Sequence, residues 1–105
     1  MTYAMGNVSL DPDSNMVLVD GKPLQLLKKE FDILLYFLQR PEHLIDKVAL
    51  AEAVWGDHAD QADNFHFVYA QMKNLRRKLA DARASIEIKS VYGFGYKLTM
   101  QDNQQ

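Results

Sequence analysis

The chain has 105 residues, a length that fits one domain and leaves no room for a second hydrophobic core. Its 48% hydrophobic and 25% charged residues, with only five Gly and three Pro, exclude a disordered or collagen-like chain. Because there is no Cys, a disulfide framework, a Cys-ligated metal site and a thiol nucleophile are excluded. No apolar run is long enough to cross a membrane and the N-terminus lacks a signal-peptide core, so we expect a cytoplasmic protein without a membrane partner.

The net charge of −2 is unevenly distributed along the chain. Residues 1–64 carry five Lys or Arg against eleven Asp or Glu, a balance of −6, whereas residues 65–99 carry seven against two, a balance of +5. A basic third of a domain can attract phosphates even when the whole chain is mildly acidic.

The first 26 residues predict a small antiparallel sheet. Val8 and Leu10 alternate with a polar residue, and Met16–Val19 is an apolar segment between two turn sequences. Pro23 suits an edge position, and residues 24–26 could form a last short strand.

Residues 27–81 predict three helices. In the first, apolar residues recur at helical spacing, and the helix should end ahead of Pro41. The second should run over Lys47–Trp55, capped by Asp46 and stopped by Gly56. The residues of these two helices that are available for burial are Leu27, Phe31, Leu34, Leu35, Leu38, Val48, Leu50, Ala51 and Val54.

The third helix should be basic on the side that faces away from the core. It follows a polar connection over residues 56–64, which predicts an exposed acidic loop, and either Asp63 or Asn64 could cap it. No acid lies between Asn64 and Lys78. The expected buried stripe is Phe65, Val68, Met72, Leu75 and Leu79, and the cations beside it are Lys73, Arg76, Arg77 and Lys78.

Residues 86–99 predict a β-hairpin, because Ile86–Val91 alternates apolar and polar residues and Gly93 and Gly95 allow a tight reversal. Residues 101–105 form a polar tail. Three helices followed by a hairpin describe a single winged helix-turn-helix domain, an α+β fold with a small N-terminal antiparallel sheet. In such a fold the third helix enters the major groove of DNA, and the hairpin, or wing, touches the adjoining backbone or minor groove.

A run of cations can also be an ordinary solvated helix face. The lack of compensating acids, together with Gln71 and Asn74 one turn apart on the non-core side, favours DNA binding. The alternative function is a winged-helix protein–protein interaction module that does not bind DNA. An enzyme is not expected, since no cluster suggests a nucleophile with a base, and neither a cofactor nor a metal site is expected.

Four motifs stand at intervals along the chain. Residues 26–35 read L-L-K-K-E-F-D-I-L-L, residues 54–56 V-W-G, residues 75–79 L-R-R-K-L and residues 88–98 I-K-S-V-Y-G-F-G-Y-K-L. In this order they resemble the C-terminal DNA-binding domains of OmpR/PhoB-type response regulators over nearly the whole length. The resemblance implies sequence-specific binding of double-stranded DNA for transcription regulation, as the output domain of a two-component phosphorelay system.

The resemblance also implies a set of DNA-contacting residues. The main base-reading position falls on Asn74. The wing position that often carries a minor-groove Arg is Tyr92, which could stack on a sugar, donate its hydroxyl to a phosphate, or simply be a partly exposed aromatic of the hairpin. Tyr69 stands where the family usually has Asp, and Leu27 replaces the Thr that would form a capping box with Glu30, so we expect that cap to be lost. Phosphate-contacting positions fall on His66, Gln71, Lys73, Arg76 and Ser90, and the other expected contacts are Arg77, Lys78, Lys89 and Lys97.

Partners follow from the same resemblance. Such regulators carry a receiver domain, so the full-length protein is expected to contain one. Two domains usually occupy tandem direct-repeat half-sites on DNA, with weak self-association there. The loop between the second and third helices can contact the sigma or alpha subunit of RNA polymerase. Here the corresponding residues are Asp57, His58, Asp60 and Asp63.

Overall fold

The computed structural model describes residues 1–56 and 65–102. The described chain forms an N-terminal sheet, three helices and a C-terminal hairpin, which confirms the winged helix-turn-helix predicted from the sequence. The elements are β1 Tyr3–Met5, β2 Val8–Asp11, β3 Met16–Val19, β4 Lys22–Pro23, α1 Lys28–Leu38, α2 Lys47–Trp55, α3 His66–Asp81, β5 Ile86–Val91 and β6 Gly95–Met100.

The N-terminal sheet is antiparallel, in the order β1-β2-β3-β4. Its last strand is not residues 24–26, as predicted, but the shorter β4, with Pro23 at the edge. Asp20 and Gly21 both have positive φ, at 52° and 78°, which is the backbone of a two-residue hairpin turn. Such a turn requires the returning strand to begin at Lys22, which therefore pairs with Val19.

The core lies between this sheet, the helices and one face of the hairpin. Ile33, Leu34 and Phe37 of α1 are fully buried, whereas Leu27, which was expected in the core, is 59% exposed. Leu27 precedes the helix in extended conformation, so it does not share the helical face. Val48, also expected to be buried, is 48% exposed in the first turn of α2.

The N-terminus of α1 keeps half of the capping box that the sequence analysis expected to be lost. Leu27 has no side-chain acceptor, but the Glu30 carboxylate still accepts a hydrogen bond of 2.8 Å from the Leu27 backbone N–H. That carboxylate is fully buried.

The ends of α2 agree with the prediction, and the start of α3 does not. The Asp46 carboxylate caps α2 by accepting a hydrogen bond of 2.7 Å from the Ala49 N–H. The N-cap position of α3 is Phe65, which provides no side-chain cap, in place of the expected Asp63 or Asn64. These two residues lie outside the described ranges. Val68, Met72, Leu75 and Leu79 are buried as predicted, and Phe65 is half-buried.

The wing is fixed to the connection between α1 and α2. Ile45 and Tyr96 exchange two backbone hydrogen bonds of 2.8 Å, so the connection runs beside β6 like a short third strand. Gly95 permits this approach, because a Cβ at that position would lie 2.2 Å from the Ile45 carbonyl oxygen. None of the helices in the described ranges combines the length and apolar character needed to cross a membrane.

Candidate nucleic-acid interface

The outward face of α3 is basic. With the buried stripe facing the core, the helical period places His66, Lys73 and Arg77 on the opposite side, where all three are exposed. Asn74 lies at the edge of this face and is half-buried. Within the described ranges, no carboxylate forms an ion pair with Lys73 or Arg77. The two charges are therefore not neutralised by that part of the fold.

Arg76 joins α3 to the wing. Its Nε donates a hydrogen bond of 2.8 Å to the Ile88 carbonyl, and a terminal nitrogen donates one of 2.9 Å to the Ser90 hydroxyl. The guanidinium carbon also lies 5.3 Å from the centre of the Tyr96 ring. The rigid planar fork of Arg suits this arrangement, which brings two predicted phosphate contacts, Arg76 and Ser90, together close to the turn of the wing.

The wing presents different side chains on its two faces. Ser90 pairs with Tyr96 on the face towards α3, whereas Lys89 pairs with Lys97 on the other face, where both are away from the core. Cross-strand neighbours of like charge repel each other unless a counter-charge is bound. The two lysines therefore form a local concentration of positive charge on the outer face of the wing.

Two aromatic residues occupy the tip of the wing. Tyr92 is fully exposed and Phe94 is 67% exposed. The Phe94 N–H donates a hydrogen bond of 2.9 Å to the Val91 carbonyl, and Gly93 has a φ of 80°, so the tip is a hydrogen-bonded turn. Phe94 was not among the predicted contacts. The flanking glycines were a signal that it sits at the turn and points away from the core.

A groove of about 500 Å³ separates the wing from the start of α2 and from Tyr69 of α3. Lys47 lies at its rim, with Nζ 3.3 Å from the Tyr69 hydroxyl oxygen. Burial raises the pKa of Tyr96, which lines the groove, above its usual 10.0; Tyr69 acts in the same direction, and the charges of Arg76 and Lys47 oppose it. The proximity of Lys47 to α3 was not predicted, because Lys47 belongs to the acidic part of the sequence and only the tertiary fold brings it to Tyr69.

Residues 21–98 match the family model described as "Transcriptional regulatory protein, C terminal". The chain belongs to this family. Response regulator RppA of Synechocystis sp. is 36% identical over 104 residues, covering 91% of this chain and 44% of RppA. This chain thus spans less than half the length of that relative.

Solved structures agree with the family. The DNA-binding domain of Klebsiella pneumoniae RstA, solved in complex with the RstA box, is 27% identical with a TM-score of 0.79, covering 93% of this chain and 96% of that one. DrrB, an OmpR/PhoB homologue from Thermotoga maritima, is 28% identical with a TM-score of 0.78, covering 93% of this chain and 44% of DrrB. The resemblance to DNA-binding domains of OmpR/PhoB-type response regulators, predicted from the motifs, is confirmed.

Two of the residues expected to contact DNA have other surroundings in this member of the family. Lys78 lies 2.6 Å from the buried carboxylate of Glu30, on a different side of α3 from Lys73 and Arg77. The side-chain oxygen of Gln71 is buried and has no hydrogen-bond partner within the described ranges. Gln71 would have to turn outward to reach DNA with this oxygen.

The predicted polymerase-contact residues, Asp57, His58, Asp60 and Asp63, lie outside the described residues. The other predicted contacts lie on α3 and on the wing. His66, Lys73 and Arg77 lie on the outward face of α3, and Asn74 and Arg76 lie on its two opposite edges. Ser90 and Tyr92 lie on the wing, whose outer face carries Lys89 and Lys97.

Proposed function

We propose that this domain binds double-stranded DNA sequence-specifically, with α3 in the major groove and the wing against the adjoining backbone, in order to regulate transcription. The observation that supports this most strongly is the outward face of α3. Within residues 1–56 and 65–102 no carboxylate pairs with its cations Lys73 and Arg77, and Arg76 connects it directly to the wing. A major groove admits one α-helix, and phosphates on both sides of the groove attract such cations.

Within this proposal, Asn74 reads a base and the cations position the helix. An Asn amide pairs with the N6 and N7 edge of adenine, so Asn74 selects an A·T pair. Lys73 and Arg77 contact phosphates from the exposed side of α3, together with His66. Arg76 uses two of its five N–H groups on the wing, and the remaining ones can donate to a phosphate near Ser90.

The wider context is proposed from the family. In the full-length protein a receiver domain controls this domain, which acts in the cytoplasm on tandem direct-repeat half-sites, with weak contact between neighbouring copies. The acidic segment containing Asp57, Asp60 and Asp63 is repelled by DNA and is suited to a basic surface of the sigma or alpha subunit of RNA polymerase.

The alternative is a protein-interaction module that does not bind DNA. It is not favoured, because the chain belongs to a family of transcription regulators. We likewise propose a binding role rather than catalysis. Among the described residues, Lys73 and Arg77 lack acidic partners, and such a surface attracts the phosphates of DNA, whereas a protein-docking face does not need it.

The phosphate contacts are tested by salt dependence. Lys73→Ala and Arg77→Ala should each weaken binding to every duplex and make the negative slope of log affinity against log salt shallower by about 0.9. Lys22→Ala, on the N-terminal sheet, is the matched control and should change neither. Wild-type affinity that is independent of salt would contradict the proposed function.

The polymerase contact needs a separate test in the full-length regulator. Changing Asp57, Asp60 and Asp63 together to Asn should leave promoter binding intact and lower transcript yield in a reconstituted reaction. If promoter affinity and transcript yield both stay at the wild-type level, the polymerase contact is wrong.

A further inference from the structure

The side chain of Asn7 joins the N-terminal sheet to the connection between α3 and the wing. Asn7 follows Gly6 in the two-residue turn between β1 and β2 and is half-buried. Its Oδ1 accepts hydrogen bonds of 2.7 Å from the Ser85 backbone N–H and 3.0 Å from the Ser85 hydroxyl. Its Nδ2 donates one of 3.0 Å to the Arg83 carbonyl. One amide group therefore forms a junction, here called the Asn7 junction, between the sheet and the segment that leads from α3 to β5.

Backbone groups strengthen the Asn7 junction. The Asn7 N–H donates a hydrogen bond of 2.9 Å to the Ser85 hydroxyl, and the Ser85 carbonyl accepts one of 2.7 Å from the Gln101 N–H, just after β6. The Asn7 carbonyl accepts the Asp20 N–H at 2.9 Å, and Nδ2 also donates to the Asp20 carboxylate at 3.0 Å. A Cβ at Gly6 would collide with the Ser85 hydroxyl oxygen, so glycine permits this close approach. The junction thus brings together two turns of the sheet, the α3–β5 connection and the end of the wing.

The Asn7 junction lies at one end of the boundary between α3 and the wing. Because α3 ends at Asp81 and β5 begins at Ile86, residues 82–85 set the path from one to the other. At the other end of this boundary, Arg76 holds Ser90 close to the turn of the wing. Two attachments at separate points restrict the angle between the helix and the hairpin more than either attachment does alone.

We propose that Asn7 is a positioning residue for DNA binding. By holding the α3–β5 connection against the sheet, it keeps α3 and the wing at the mutual angle that the proposed interface requires. Sequence-specific binding places α3 in the major groove and the wing on the adjoining backbone at the same time. When both are held in advance, less conformational freedom is lost on binding.

Asn7 exerts this effect from a distance. The base-reading residue Asn74 lies eight positions before Ala82, the C-cap of α3, which is about 12 Å along the helix axis. Asn7 contacts the segment beyond that cap and carries no charge. The inference rests on the proposed function, because it requires α3 and the wing to bind one duplex together.

The test compares the affinity for a duplex carrying the preferred site with the affinity for an unrelated duplex, by fluorescence anisotropy. Asn7→Ala should lower the ratio of these affinities by about three- to thirtyfold, because the angle between α3 and the wing is then less restricted. The affinity for the unrelated duplex, and its salt dependence, should stay at the wild-type values because no charge is lost. Ser14→Ala is the matched control: the Ser14 hydroxyl bonds Asp11 within another turn of the same sheet, so the ratio should not change.

A rescue experiment separates positioning from general stability. Asn7→Asp combined with Asp20→Asn keeps an acceptor for the Ser85 N–H and reverses donor and acceptor between positions 7 and 20. This double variant should recover most of the ratio that Asn7→Ala loses. All affinities are measured well below the melting temperatures obtained by circular dichroism, so that they refer to folded protein. If Asn7→Ala does not fold, Ser85→Ala, which removes the acceptor of the Asn7 N–H, takes its place with the same expected fall.

Hydrogen exchange followed by NMR reports on the Asn7 junction directly. In Asn7→Ala the Ser85 amide should exchange about ten times faster, because its acceptor is gone, while the Leu75 amide in the middle of α3 keeps its rate. An unchanged rate for Ser85 would overturn the junction as described.

Failure of the positioning role is distinguishable from failure of the proposed function. If the wild type discriminates between the duplexes and Asn7→Ala discriminates equally well, only the role of Asn7 is wrong. A loss of ratio that the double variant does not restore would also overturn that role. If the wild type itself does not discriminate, the proposed function fails.

Discussion

At the scale of single residues, Arg76 and Lys78 show how neighbouring cations on one helix serve different purposes. They are two positions apart, a rotation of about 200° around an α-helix, so they lie on opposite flanks of α3. Arg76 contacts the wing, and Lys78 contacts Glu30 of α1. The sequence analysis treated both residues as parts of one basic run, because the run is continuous in sequence. The residues that Arg76 and Lys78 contact lie elsewhere in the chain.

The ion pair between Lys78 and Glu30 gives a prediction about stability. The Glu30 side chain is fully buried and the Lys78 side chain is 27% exposed. Lys78→Met leaves a buried charge without its partner and should lower the free energy of unfolding by about 3 to 5 kcal/mol, measured by urea denaturation. Adding Glu30→Gln should restore part of the loss, because the variant then contains no buried charge.

Arg77→Met is the control for that measurement, since Arg77 is exposed on the same helix. Its effect on the free energy of unfolding should stay within about 0.5 kcal/mol. Conversely, the salt dependence of DNA binding should become weaker for Arg77→Met. For the folded fraction of Lys78→Met it should remain at the wild-type value. If Lys78→Met lowers the salt slope without loss of stability, the assignment of Lys78 to the core ion pair is wrong.

At the scale of elements, the wing is held by tertiary contacts that its own sequence does not reveal. The alternation over residues 86–91 and the two glycines were sufficient to predict a hairpin. The pairing of Ile45 with Tyr96 was not predicted, because it joins segments about fifty positions apart in the chain. The orientation of the wing relative to α3 therefore depends on the contacts of Tyr96 with Ile45 and of Ser90 with Arg76.

This attachment predicts that the two wing glycines respond differently to substitution. At Gly95, with a φ of 147°, a Cβ would meet the Ile45 backbone at 2.2 Å, whereas at Gly93 it meets open space. Gly93→Ala should cost only the strain of its positive φ, of the order of 1 kcal/mol. Gly95→Ala should lower the melting temperature further and displace the wing. Equal melting temperatures for the two variants would contradict the attachment.

At the tip of the wing, in contrast to Gly95, we expect a substitution to affect DNA binding and not stability, because Tyr92 is fully exposed. Substituting it should leave the free energy of unfolding within about 0.5 kcal/mol of wild type. If the ring stacks on a sugar, Tyr92→Ala should weaken DNA binding and Tyr92→Phe should not. If neither variant changes the affinity, Tyr92 does not belong to the interface.

At the scale of the whole molecule, the fold was predictable because its elements are encoded by local patterns. The apolar spacing predicted the helices, and paired turn residues predicted the hairpins. The exact ends of the helices and strands were less predictable, because they depend on backbone details such as the two-residue turn before β4. The candidate site was less predictable, since helical periodicity and distant contacts decide which cations share a face. Contacts that no local pattern contains include Asn7 with Ser85, Glu30 with Lys78, Ile45 with Tyr96 and Lys47 with Tyr69.

Selection of duplexes from a random library, carried out in parallel for the wild type, Asn74→Ala and Lys73→Ala, tests the central claim most directly. The wild type should recover a defined sequence. Lys73→Ala should recover the same sequence with lower affinity, because a phosphate contact carries no base preference. Asn74→Ala should lose the preference at one base pair and bind the wild-type site about 1 to 3 kcal/mol more weakly. Recovery of the same sequence by Asn74→Ala, with undiminished preference at every position, would contradict base reading by α3.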